Sequence, residues 1–331
     1  MPLPLLWALM AIFSVRALGA DASSSESVSP NGTDRVTLRQ ADGQTQTITG
    51  EIERITGAGG VTLLAADGTK TSFPMSRLLD LEIVRNQPHT EAEALFAETF
   101  DAGASLAGAS LAGEESGASE KLVEALALFR QARSEEKRYW VQQLLTARIA
   151  ATLFALGERG RASEEFFLHC QTDPFTPYLS SIPLEWTDRP PDLSGVTTDA
   201  KTLAAWLDDS ANPTGRINPA GKLLAATLLL SGPLRTQARA ALDSLVTLRS
   251  PLPDNADVTE HCRAVALLAT AQIWRLKLAA GPKPEEVKIW RQALDRFPPT
   301  LAAGPSLVVA LALERIGESD ARSSDDVPPG Q

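Results

Sequence analysis

The chain has 331 residues, with 31 Lys and Arg against 41 Asp and Glu, a formal charge of −10. Hydrophobic residues make up 44%, an ordinary fraction for a chain with a buried core. The acidic balance argues against an electrostatic nucleic-acid binder, and two Cys with three His exclude a disulfide-dense mini-fold and leave little for a metal centre.

In chain order, residues 1–20 read as a secretory signal peptide. Leu3 to Val15 is almost wholly apolar, and the small residues Ala17, Gly19 and Ala20 follow. A helix of that length covers about 20 Å, too short for a hydrocarbon core of about 30 Å. The competing expectation is an uncleaved anchor. Later apolar runs are interrupted by charge, so no membrane span is expected after cleavage. Export to a bacterial periplasm or beyond is the expected localisation. Residues 21–33 are Ser-rich and read as a flexible leader.

From 34 to 86 the pattern has period two. Val36 and Leu38 alternate with polar residues. Ile48, Ile52 and Ile55 surround Gly50, where a long strand can bend. Val61 to Leu64 and Thr71 to Phe73 flank the Asp67-Gly68 turn, and Leu79, Leu81 and Ile83 mark the last strand. Five short strands suit a small closed barrel, because closure removes unpaired edges. The run from Thr49 to Ile83 resembles the SH3-like and Sm-like small barrels.

Beyond residue 86 apolar residues recur at three and four positions. Gly157-x4-Ala162-x3-Phe166 is followed by Asp173-Pro174, and Ala125-x3-Phe129-x2-Ala132 lies 37 residues before Ala162. This spacing resembles the tetratricopeptide repeat, with its A-x3-F signature and terminal Pro in units of about 34 residues. The resemblance implies stacked antiparallel helical hairpins over 87–172, with Leu95 and Phe96 inward on the first helix. An insert of about 17 residues at 103–119, built on the duplicated Gly-Ala-Ser-Leu-Ala, reads as an expanded surface loop. Two further hairpins are expected within 201–317. One is Pro219 to Val246. The other is Val258 to Phe297, with Trp290 and Ala293 on its second helix. A last helix at 305–316 has no partner of the usual kind and offers a surface for self-association, and 318–331 reads as a disordered tail. The fold class expected is α+β: a small five-stranded β-barrel followed by an irregular all-α solenoid.

Between the hairpins, 173–200 is a strap with Pro174, Pro177, Pro183, Pro190 and Pro191, which enforce extended or turn backbone. Its aromatics Phe175, Tyr178 and Trp186 either pack on the helices, or Tyr178 and Trp186 contact a ligand or partner.

Signals of catalysis are missing from the sequence: it has no Gly-x-Ser-x-Gly, no phosphate loop, no dinucleotide fingerprint and no His-Glu-x-x-His. Each Cys follows a His, at His169-Cys170 and His261-Cys262. Neighbours on a helix point about 100° apart, so these pairs are poorly shaped for one metal ion. A Cys170–Cys262 disulfide and two buried thiols both stay open. Glu135-Glu136, Glu164-Glu165 and Glu285-Glu286 read as solvated surface, as does His89. No metal, cofactor or catalytic residue is expected. The resemblance to helical repeats implies a non-enzymatic scaffold that binds protein partners in the bacterial envelope. The alternative is a small-molecule or cell-wall glycan module using the aromatic strap.

Overall fold

A computed structural model describes residues 33–40, 43–102, 115–184, 200–208 and 216–278, with positions 285 and 288. Several expectations lie outside these residues: the signal peptide, nearly all of the leader, most of the 103–119 insert and Trp186. So do Trp290, Ala293, the 305–316 helix and the tail.

The molecule is α+β. Strands β1 (Asp34–Arg39), β2 (Thr45–Thr56), β3 (Gly60–Leu64), β4 (Lys70–Phe73) and β5 (Leu78–Glu82) form one antiparallel sheet in the order β4-β3-β2-β1-β5. The twelve-residue β2 serves both halves. Its first half pairs with β1 and its second with β3, the switch falling at Gly50. A Cβ at Gly50 would lie 2.5 Å from the Leu64 carbonyl oxygen, so only glycine allows the strands to cross that closely.

Two irregularities in the ladder set which side chains turn inward. The β2–β3 register skips Glu53, which puts both Ile52 and Ile55 inside although they are three positions apart. The β1–β5 register skips Leu79, so Leu78 is 1% exposed where strict alternation from Leu81 predicts Leu79 inside.

The sheet is open. A 3-10 turn at Met75–Arg77 leads from β4 to β5, and these strands are its two edges, with no pairing between them among the described residues. Closure was expected because it removes unpaired edges, and the edges β4 and β5 remain here. The apolar face of the sheet is covered by helices.

Eight α-helices follow among the described residues: α1 (Gln87–Ala102), α2 (Glu115–Glu135), α3 (Tyr139–Ala155), α4 (Arg159–Thr172), α5 (Ala200–Ala205), α6 (Pro219–Leu229), α7 (Arg235–Val246) and α8 (Ala256–Leu278). Sequential neighbours pack together from α1 to α4 and again from α6 to α8. Ala125, Phe129, Ala132, Ala162 and Phe166 are all fully buried, since the small residues let helices approach and the rings fill the space between. Leu95 and Phe96 pack partly buried against the same core.

That core is shared with the sheet. Val36, Ile52, Leu63 and Leu78 lie in one apolar cluster with Phe129, Trp140, Leu145 and Leu153. Trp140 of α3 donates its indole N–H to the Ile52 carbonyl at 2.6 Å. Asp34, at the head of β1, accepts from the backbone N–H of Ile52 and of Val84 at 3.0 and 2.8 Å. Arg138 reaches the same carboxylate at 3.3 Å and Glu136 at 2.9 Å. Glu136 is thus a half-buried ion-pair partner and not the solvated acid expected, because the loop before α3 folds it against the sheet.

A second core forms from α4 to α8 with Leu179, Ile182 and Leu184 of the strap. Helix α6 is buried along its whole length. Apart from Lys222 and Thr227 it is apolar around its circumference, because α4, α5, α7 and α8 surround it. Asn218 caps its start, accepting from Gly221 N–H at 3.0 Å and donating to the Cys170 carbonyl at 2.7 Å, with Pro219 in the first turn. Asp257 of α8 accepts the Met75 backbone N–H at 2.9 Å, which ties the second core back to the sheet.

Candidate functional site

Two sets of polar side chains stand out, and α4 contributes to both. The first is an open groove on the α2–α3–α4 face, with a volume of about 230 Å³. Arg130 comes from α2, Leu153 from α3, and Arg161, Glu164, Glu165 and Leu168 from α4. Leu153 is fully buried and forms the floor. Leu168 is 51% exposed, an apolar side chain presented to solvent on a helix whose other apolar residues turn inward. Arg133 of α2 bridges to Glu165 of α4 at 3.0 Å, and Arg161 pairs with Glu158 one turn earlier. The rim is therefore ionised and the floor apolar, the arrangement of a protein contact surface. The pair Glu164-Glu165, read from the sequence as plain surface, is half-buried here.

The second set is sealed beneath the strap. His169 lies 3.0 Å from Gln143 Oε1 through Nδ1 and contacts the Thr176 hydroxyl through Nε2. Thr172 donates to the same Gln143 oxygen at 2.7 Å. The Gln143 oxygen then accepts from His169 Nδ1–H, and Nε2 accepts from Thr176, so the ring is neutral. His261 of α8 donates Nδ1–H to the Thr176 carbonyl at 2.9 Å. Thr176 thus joins α4, the strap and α8 at one residue.

The turn between β2 and β3 closes this junction. A Cβ on Gly57 would lie 1.5 Å from the Phe175 carbonyl oxygen, so the strap runs directly over a position only glycine can occupy.

Burial sets the protonation of every group there. It brings His169 down to about 3. It brings His261 down to about 4 against the opposing hydrogen bond to Thr176. Burial lifts Asp173 to about 6, although N–H donors from Gly57 and Phe175 and the charge of Arg54 pull the other way. Burial, with Asp173 adding to it, raises the Cys170 thiol and the Tyr178 phenol. Buried thiols held above their ordinary range are poor nucleophiles. The junction holds its histidines, thiol and phenol neutral, while the Asp173 carboxyl gains its charge only as pH rises through about 6.

A third cluster holds His89, which is 1% exposed and not on the surface as expected. Helix α1 starts at Gln87 and lies along α2, which places the ring edge-on to Phe129 at 6.4 Å. Burial lowers its basicity, and Glu93 Oε1 stands 3.7 Å from Nε2. Burial alone would raise Glu93, yet Arg148 at 2.9 Å, with help from His89 and Arg85, holds it down to about 2.

Of the two aromatic positions singled out in the strap, Tyr178 is 8% exposed and packs on His169 with ring centroids 5.6 Å apart, so it faces the interior and not a partner. Trp186 lies outside the described residues. Cys170 and Cys262 are both buried and free. Among the described residues no cluster of three His, Cys, Asp or Glu could hold a metal ion, and no helix is long and apolar enough to cross a membrane. The groove residues were missed because charged helical positions look alike in a sequence. Leu168 was the one available signal, an apolar residue outside the buried set of α4. Compared with family models, curated proteins and solved structures, the chain matches none.

Proposed function

We propose that the chain is a non-enzymatic interaction or scaffolding protein of the bacterial cell envelope. It is exported, and it binds protein partners through the helical face of α2, α3 and α4. The observation that carries this reading is the groove itself. It pairs an apolar floor at Leu153 and an exposed Leu168 with an ionised rim. Such a combination favours desolvation at the centre and orientation at the edge. The sequential packing of helices supports a tetratricopeptide-like array. The bent β2 and the order β4-β3-β2-β1-β5 support a sheet of the SH3-like or Sm-like kind.

The test is a partner recovered from an envelope extract by the full chain, identified, purified and titrated against wild type and Leu168→Arg. Burying a charge in place of an apolar contact is expected to weaken binding by about tenfold or more. A partner that binds both proteins equally, or no partner at all, rejects the reading.

A further inference from the structure

We propose that Arg130 is the anchor of this groove, and that it receives the carboxylate of an aspartate or glutamate side chain flanked by an apolar residue on the partner. The proposal rests on the interaction reading above and gives that partner a chemistry.

The argument starts from how this molecule treats its other half-buried arginines. Arg133 holds Glu165 at 3.0 Å, Arg138 holds Glu136 at 2.9 Å, Arg148 holds Glu93 at 2.9 Å and Arg239 holds Asp243 at 3.4 Å. Arg130 is half-buried too, and among the described residues it makes no ion pair and no hydrogen bond. A guanidinium that has lost part of its water shell has five N–H donors in a fixed fork and gains most from a planar carboxylate. Of the acids lining the groove, Glu165 is bridged to Arg133 and Glu164 has an interaction of its own, while the cation Arg161 is paired with Glu158. The charges lining the groove, Arg130 and Arg161 against Glu164 and Glu165, balance. Selection therefore comes from this local unpaired donor and not from a long-range field.

Volume and lining settle the rest. A groove of about 230 Å³ is smaller than small-molecule pockets, which run from about 300 to 1,000 Å³, but it accommodates side chains from a passing segment. Leu153 and Leu168 lie in the same groove as Arg130. An acidic residue beside an apolar one satisfies both features at once.

The probe is a fluorescein-labelled peptide of repeated Leu-Asp-Leu units, with matched peptides carrying Asn or Lys at each Asp. Each is titrated into the full chain and read by fluorescence polarisation. The Asp peptide is expected to bind about tenfold tighter than the Asn peptide, with the Lys peptide weaker still. Arg130→Gln should abolish the difference between Asp and Asn, whereas Leu168→Ala should weaken both alike. Unchanged thermal unfolding of Arg130→Gln shows that the variant is folded. Equal affinity for Asp and Asn, discrimination that survives Arg130→Gln, or no binding of the Asp peptide at millimolar concentration overturns the proposal. A partner whose binding is lost in Leu168→Arg but unchanged in Arg130→Gln also overturns the anchor, and leaves the interaction reading standing.

Discussion

Helix α4 carries two polar sets with opposite fates. Toward the strap it offers His169 and Cys170, sealed from water and held neutral. Toward solvent it offers Arg161, Glu164 and Glu165 around an exposed Leu168. The same helix, and similar numbers of ionisable groups, yield a tie in one place and a contact surface in the other. What differs is access to water. A charge on His169 or Cys170 loses its hydration with no adequate return, so their neutral forms win and hydrogen bonds carry the structure. In the open set hydration persists, ion pairs are worth little to folding, and the charges are left available for a partner.

Substitutions in the two sets should therefore separate stability from binding. Gly57→Ala has the largest expected effect, since its Cβ would lie 1.5 Å from the Phe175 carbonyl oxygen. It should cost about 3 kcal/mol or more in urea denaturation, because backbone on both sides must move. An unchanged midpoint would show that the strap is not seated on the β2–β3 turn.

Next comes Asp173, whose carboxyl is lifted from 3.8 to about 6 in the folded protein. The folded state binds the extra proton between these values, so the stability this group contributes is complete below the lower one and lost as pH rises through about 6. Asp173→Asn should thus be more stable than wild type at pH 8, by up to about 3 kcal/mol. His169 and His261 work in the other sense. Their folded values, about 3 and about 4, lie below 6.5, so stability is full above pH 6.5 and falls on acidification. Wild type should lose stability between pH 6.5 and 4, and Asp173→Asn should lose it more steeply. Equal slopes in chemical denaturation at pH 4 to 8 would contradict the assignment.

Thr176→Val removes the hydroxyl that meets His169 and accepts the Tyr178 N–H at 3.1 Å. About 1–3 kcal/mol should be lost, since two buried partners are left unsatisfied. A neutral result would mean that His169 finds another partner. The smallest effects belong to the groove: Arg130→Gln and Leu168→Ala should each change stability by less than about 0.5 kcal/mol while altering peptide binding. A large loss of stability from either would place the groove in the folding core.

Much of the architecture was legible before any tertiary information. Strand alternation around Val36 and Leu38, and the small-and-aromatic spacing of Ala125, Phe129, Ala162 and Phe166, are local steric statements. Each is decided by residues within a turn or two. The periodicity therefore located the strands and, among the described residues, most of the helices and their buried faces.

What remained hidden depends on neighbours distant in the chain. Leu78 replaced Leu79 in the core because a bulge against β1 shifted the register, and the sheet is open, with helices packed on its apolar face. Asp34 meets Arg138 across 104 positions, and Met75 meets Asp257 across 182. The burial of His89, the commitment of Glu136 and Glu165 to arginines, and the unpaired Arg130 follow from such meetings. Charge pairing is set by distance and by water, and a sequence specifies neither until the chain has folded.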